Sequence, residues 1–545
     1  MRILGINSVF HDSAAALVVD GRIVAAAEEE RFSRRKHGKT PVPFSAWEQP
    51  EQAAAWCLRQ GGIEASELDA VAFSYDPALV DDAVGGLDPA WEWLRTTFAE
   101  RAPHFLATAL PGLDRDAVVC VPHHVAHAAS AALAAPFGDC AVLTADGRGE
   151  STAGLAGRCT GGRLTTLVEQ RLPHSLGLMY EELTDHLGFR RSSDEYKVMA
   201  LASYAEPAFL PEFRELVRST GDGRYEIEQI DWQRWAPRRT AQEQLGDKHA
   251  QLAASVQARL EEVLLDLARW LHGETGERRL AMAGGVALNC VANTRIAREG
   301  PFDEVWVQPA AGDAGTALGA ALQIAAQHDE PIRPMPGADL GRGWSDEEIE
   351  NALRTAKLAY ERPSDVAEVA AEALARDESV GWFQGRSEFG PRALGHRSLL
   401  AHPGNADNVE RLNDIKGREQ FRPVAPMVLA ERSAELFTRG PESSPHMLFV
   451  HDVTPEWQDR IPAAVHIDGT ARPQTVDRAA EPLVARLLDS FAARTGVPAL
   501  INTSFNTAGR PMVDSPVDAL ECFGASPIDL LVIGPFVVRR GGERS

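Results

Sequence analysis

Hydrophobic and polar positions fall into blocks that occur twice. Residues 2–31, RILGINSVFHDSAAALVVDGRIVAAAEEER, hold three apolar runs parted by a polar turn and by Asp20-Gly21, which predicts three strands with a hairpin between the last two. From Asp139 the order returns in DCAVLTADGRGESTAGLAGRCTGGRLTTLVEQ, with an acidic glycine turn first and Gly161-Gly162 second. Each opening is followed by helical periodicity. This predicts two related α/β lobes with a cleft between them, where ligands of such sheets bind.

Between and beyond the openings, EQAAAWCLRQGG reads as a helix ended by glycine, and residues 250–275 as a long amphipathic helix. RRLAMAGGVALNCVANTRI and DEVWVQPAAGDAGTALGAALQIAA each read strand, glycine turn, helix. A proline- and glycine-rich stretch at 329–345 reads as a linker. After it come two helices, SDEEIENALRTAK and DVAEVAAEALARD, and a strand, SVGWFQG. The expected domains are therefore 1–340 and 341–545, since 545 residues exceed what one core organises.

Charge narrows the function classes. A formal charge of −23 without a basic stripe excludes a phosphate-backbone grip, so no nucleic-acid partner is expected, and an anionic membrane surface is disfavoured. No apolar run reaches the roughly 18–20 residues a bilayer span needs. The first residues read as a strand and turn, and the 6 cysteines are scattered without a CxxC pair, so a cytoplasmic protein with reduced thiols is expected.

PHHVAHAASAALAA is a credible helix, with Pro122 suited to its first position. His123 and His127, four apart, then share a face; His124 and His127 form a competing pair. No glutamate stands between them, so the HExxH protease mechanism is excluded. Alone, such a pair is ordinary. Asp146 and Asp313, however, end up at glycine turns facing the same cleft, and two imidazoles with two carboxylates suit iron(II), manganese or zinc with positions left for phosphate oxygens. In FHDSAAAL, His11 and Asp12 follow the first strand, where a histidine can take a proton from an attacking hydroxyl; a surface turn is the plain alternative. Lys36, in EEERFSRRKHGK, can neutralise a phosphate if its loop folds inward. Gly284 and Gly285 in AGGVALNC let backbone approach a ligand, although no GxxxxGK[ST] motif occurs.

The C-terminal text is unusual: GRSEFGPRALGHRS, NDIKGREQFRPVAP, DGTARPQTV and INTSFNTAGRP. These rigid turns carry Arg392, Lys416, Arg422, Arg472, Asn502 and Ser504, donors that together read as a polyanion site.

With HHVAHAASA, TADGRGE, EYKVMALASY, AGGVALNCVAN, GPRALGHRS, FRPVAP, RPQTV and NTSFN in this order, the chain resembles the NodU/CmcH family of O-carbamoyltransferases, nearest in type to the tobramycin carbamoyltransferases. The resemblance implies a duplicated actin- and sugar-kinase-like (RNase H-like) domain fused to a C-terminal α/β YrdC-like domain. It implies that carbamoyl phosphate and ATP, with magnesium, give carbamoyladenylate, whose carbamoyl group passes to a hydroxyl beside iron(II). By motif, His123, His127, Asp146 and Asp313 match the metal ligands, with His124 left out. His11 matches an essential histidine and Lys36 the lysine of a KH pair. Asp12, Lys197, Gly284, Gly285 and Asn289 fall where the family holds the adenylate. Arg392, Lys416, Arg422, Arg472, Asn502 and Ser504 fall at the carbamoyl phosphate and ATP site.

The expected partner is a small-molecule hydroxyl acceptor, a sugar of an antibiotic or other natural product foremost, and a homodimer is the family-based expectation. The loop at 205–250 aligns with nothing and is expected to shape the acceptor pocket. A sugar-kinase-like ATPase and a nucleotide-dependent binding protein of the actin class are the alternatives.

Overall fold

The computed structural model describes residues 1–38, 49–81 and 89–540. The chain separates into two compact units, Met1–Pro336 and Gly337–Ser545.

In the first unit, β1 (Arg2–Asn7), β2 (Ala14–Val19), β3 (Arg22–Glu28), β4 (Ala70–Phe73) and β5 (Val118–Cys120) form a sheet in the order β3-β2-β1-β4-β5. The three opening strands are antiparallel, and β4 and β5 run parallel to β1. Asp20 (φ 49°) and Gly21 (φ 71°) supply the paired left-handed residues that a tight hairpin needs. The second sheet contains β6 (Cys140–Ala145), β7 (Thr152–Thr160) and β8 (Arg163–Arg171). A small hairpin, β9 (Val217–Ser219) with β10 (Tyr225–Ile227), stands apart, and β11 (Arg279–Ala283) and β12 (Glu304–Val307) complete the sheet as β12-β11-β6-β7-β8. Counted from each lobe's own first strand, the order and directions are the same. The duplicated actin- and sugar-kinase-like lobes are thus present in the strand topology.

Two helices are exchanged between the lobes. Helix His123–Ala132 follows the first sheet yet lies on β6 and β11; helix Ala314–Gln327 follows the second sheet yet lies on β1 and β2. They also pack on each other. A Cβ on Gly319 would overlap the Ala126 carbonyl oxygen, and one on Gly5 would overlap that of Ala317, so glycine sets both approaches. Pro122 is the cap of its helix and not its first residue.

The segment at 205–250 is folded and not a loop. It holds helix Leu210–Leu216, the β9–β10 hairpin and the turn Trp232–Arg234. Phe213, Trp232 and Trp235 are buried, with the Phe213 and Trp235 rings 5.0 Å apart. Elements of three to seven residues are too short for periodicity to register; an aromatic cluster holds them instead.

The second unit carries β13 (Val380–Phe383), β14 (Arg397–Ala401), β15 (Ala425–Leu429), β16 (Phe437–Thr438), β17 (His451–Val453), β18 (Thr470–Ala471), β19 (Gln474–Val476), β20 (Ala499–Ser504), β21 (Leu530–Ile533) and β22 (Phe536–Arg539). Seven form a mixed sheet, β19-β15-β20-β14-β13-β21-β22, and β16-β17-β18 a smaller one. Ser345 and Glu348 make a reciprocal cap on helix Asp346–Thr355. All six cysteines are free, and no described helix is long and apolar enough to cross a membrane.

Candidate metal centre and active site

Helical spacing turns His123 and His127 to one side, and their ring centroids are 4.7 Å apart. Asp146 follows the end of β6, and Asp313 precedes helix Ala314–Gln327. All four residues are buried. His123 Nε2 is 3.4 Å from Asp146 Oδ2 and 3.7 Å from Asp313 Oδ1; His127 Nε2 is 3.5 and 3.6 Å from the same oxygens. One ligand atom from each of the four lies within 4.8 Å of the others.

Surrounding groups aim these atoms. His123 Nδ1 is 3.3 Å from the Ser74 carbonyl oxygen, to which it donates, so Nε2 keeps its lone pair for the centre. The Gly285 N–H donates to Asp146 Oδ1 at 2.7 Å, leaving Oδ2 to face the imidazoles. Buried Glu150 accepts from the His123 and Asp76 N–H groups at 2.9 and 2.8 Å, and burial raises its pKa. Burial alone would lower the His127 pKa, but the Asp146 and Asp313 carboxylates outweigh it and raise the pKa to about 9. Burial would raise that of Asp146, yet His123 and His127 hold it well below the usual carboxylate range.

His127 Nε2 and Asp313 Oδ2 are buried with no hydrogen-bond partner, a costly arrangement unless a cation takes their lone pairs. The residues therefore fit a borderline divalent metal. His124 stands aside: its Nδ1 is 2.6 Å from Thr152 Oγ1, and its Nε2 is 3.9 Å from Asp146 Oδ2.

The turn after β1 brings His11 to this centre, with His11 Nε2 3.6 Å from Asp313 Oδ2. Asp12 (φ 50°) holds His11 Nδ1 at 2.9 Å on one oxygen and His37 Nδ1 at 2.8 Å on the other. Burial would raise the Asp12 pKa, but His37 and His11 keep it well below the ordinary range. The KH pair points to Lys36, whereas the structure puts the neighbouring ring, His37, on Asp12. Lys36 opens the short turn Lys36–Gly38, half-buried.

Of the remaining N-terminal candidates, Gly284 (φ 95°) sits where a Cβ would overlap the Ala145 carbonyl, which brings the Gly284-Gly285 turn against Asp146. Asn289 caps helix Cys290–Glu299, and its amide is also committed to Gln257 at 2.8 and 3.1 Å. Lys197 pairs with Asp194 at 3.1 Å.

In the second unit, β20 is the meeting line. Lys416 donates to the Ser504 carbonyl (2.5 Å), Ser504 Oγ (3.0 Å) and the Asn506 side-chain oxygen. Asn502 donates to the Ala393 carbonyl (3.1 Å) and to Gln474 Oε1 (3.0 Å), and its own Oδ1 is buried with no hydrogen-bond partner. The loops bearing Arg392 and Arg472 are thus stitched to Asn502. Arg422 pairs with Glu419 at 3.7 Å and precedes β15. Glu388, a site residue with no local signal in the sequence, accepts through Oε1 from the backbone N–H groups of Leu394, His396 and Arg397 at 2.6–3.2 Å and so shapes the Arg392 loop.

A family model described as the carbamoyltransferase N-terminus matches residues 2–110 and 90–322, and one described as the carbamoyltransferase C-terminus matches 371–540. The chain is 37% identical to an uncharacterized protein of Synechocystis sp., over 99% of this chain and 97% of that protein. It is 37% identical to nodulation protein NolNO of Sinorhizobium fredii (98% and 80%) and 40% identical to nodulation protein NolO of Bradyrhizobium diazoefficiens (77% and 78%). Among solved structures, HypF of T. kodakarensis is similar at 14% identity and a TM-score of 0.37, over 60% of this chain and 48% of that one.

Proposed function

The chain belongs to the carbamoyltransferase family, and we propose that it is an ATP-dependent O-carbamoyltransferase working in two half-reactions. In the C-terminal unit, carbamoyl phosphate, water and ATP with magnesium give carbamoyladenylate, pyrophosphate and phosphate. Arg392, Lys416, Arg422 and Arg472, with Ser504, hold the two polyanions together, while Asn502 pins the loops that bear Arg392 and Arg472; this lowers the entropic and electrostatic cost of their meeting. Converting the carbamoyl carbon to a mixed anhydride with AMP supplies the leaving group that a nitrogen-deactivated carbonyl needs.

In the N-terminal unit, a hydroxyl acceptor then attacks the adenylate. Anionic Asp12 accepts the Nδ1 proton of His11, which leaves the His11 Nε2 lone pair to take the hydroxyl proton; such a base contributes about 10²–10⁴-fold. Lys197 and Lys36 serve the phosphate side; the Gly284-Gly285 turn, whose amides donate to the Ala311 carbonyl and to Asp146, brings backbone close beside it, and Asn289 fixes the adjacent helix. His123, His127, Asp146 and Asp313 would hold the metal, iron(II) being the reading carried by the family resemblance. That ion, when bound, supplies positive charge against the charge building on the departing phosphate.

The observation that supports this most is the His11 Nε2 atom 3.6 Å from Asp313, which joins the proposed base to the four-ligand cluster. The acceptor is a small molecule, with a sugar hydroxyl of an antibiotic or other natural product as the leading class. Incubation with carbamoyl phosphate, ATP and hydroxylated natural products tests the scheme. Pyrophosphate, AMP and a one-carbamoyl mass gain on the acceptor are expected; ADP as the nucleotide product would replace the scheme with kinase chemistry.

A further inference from the structure

Beside this centre stands a cationic cluster that the two half-reactions leave unused. Helix Pro89–Ala109 presents Glu92 and Arg95, and the turn after β6 presents Arg148. Both guanidinium groups pair with the same Glu92 oxygen, so two cations share one carboxylate. The arginine side chains are only 12% and 17% exposed, and the Nε atom of each is buried with no hydrogen-bond partner. Both guanidinium carbons lie 5.7 Å from the Phe10 ring centroid. Tyr75, fully buried, has a hydroxyl without a hydrogen-bond partner that feels Glu150, Glu92, Arg95 and Arg148, and its ring meets Phe10 edge-on at 5.6 Å.

Three donor-bearing side chains thus converge, two of them cationic and sharing one carboxylate, with buried donor atoms left unmet. The place is next to the reacting groups: Phe10 precedes His11, and its ring is 5.1 Å from that of His123. Paired guanidinium forks with a phenol match an oxyanion, a carboxylate, phosphate or sulfate, far better than a neutral ligand.

We infer that Arg95, Arg148 and Tyr75 form an oxyanion subsite for the acceptor, so that the acceptor is an acidic hydroxyl compound. Glu92 holds the two arginines together until the ligand's anion joins them. The inference rests on the reading that the acceptor meets the adenylate in the N-terminal unit.

Inorganic sulfate is the probe, titrated calorimetrically into the full-length protein already saturated with AMP. A sulfate site is expected in the wild type, weakened about tenfold or more in Arg148→Gln and retained in Arg148→Lys, with AMP affinity equal in all three. Equal sulfate binding by wild type and Arg148→Gln would make the pair a structural ion cluster. A loss of AMP affinity in Arg148→Gln would assign the pair to the phosphate of the adenylate, which also overturns the inference. Thermal melts check that the variant folds, and Arg95→Gln carries the same comparison if it does not. Pyrophosphate release from ATP and carbamoyl phosphate tests the two-step reading separately, so the two failures are distinguishable.

Discussion

Protons and a divalent metal compete for His127, and the competition can be measured. The Asp146 and Asp313 carboxylates keep the imidazole protonated up to about pH 9 in the metal-free protein, while a metal needs the neutral ring. Below that pH each unit costs close to a factor of ten in apparent metal affinity, so the dissociation constant rises about fiftyfold from pH 9, where half the rings carry the proton, to pH 7, or about 2.3 kcal/mol. Stability parts the two forms. A histidine with its pKa raised above 6.5 stabilises the metal-free fold fully below pH 6.5, and that stabilisation, about 3 kcal/mol, is lost as pH rises through about 9. The loaded fold, whose ring carries no proton, is level over the same window, so the gap between the two forms widens. Manganese(II) titrations under nitrogen at pH 6.5, 7.5 and 8.5 read the affinity, and calorimetry in two buffers counts the proton displaced, about one at pH 7. Melting curves with and without metal should draw apart as pH rises. A constant gap, or binding at pH 7 without proton release, would show that the His127 lone pair is not a ligand.

Other substitutions probe separate parts. Asp12→Asn removes the anion shared by His11 and His37; carbamoyl transfer should fall about 10²–10³-fold, with pyrophosphate release unchanged. Lys416→Met takes away the cation that grips Ser504 and Asn506, so pyrophosphate release should be lost while manganese still binds the other unit. Gly284→Ala forces a side chain onto φ 95° and against the Ala145 carbonyl, and urea unfolding should report a loss of about 1–3 kcal/mol.

Local regularity explains which parts of the centre were legible in the sequence. The His123–His127 spacing needs only a helix, and Asp146 and Asp313 stand where an apolar run meets a glycine turn. The repeated three-strand opening reached further, because hairpins at Asp20-Gly21 and Gly161-Gly162 write themselves in adjacent residues. Partners that meet only through the tertiary path left no local mark. His37 on Asp12, Glu150 beneath His123, and Arg148 against Glu92 are brought together across 25, 27 and 56 positions. Burial was equally silent at Arg397, a fully enclosed arginine whose guanidinium lies 3.8 Å from the Phe383 ring and donates to the Gln384 and Arg342 carbonyls.

The exchanged helices have a mechanical corollary. Like the blades of scissors, each is fastened to the opposite half, and Gly319 against Ala126 is their rivet. Points beside a rivet barely travel when blades swing, and His123, His127 and Asp313 sit on or next to these blades within one or two turns of it. Swinging of the halves would therefore sweep groups farther out, while the chelating atoms keep their spacing.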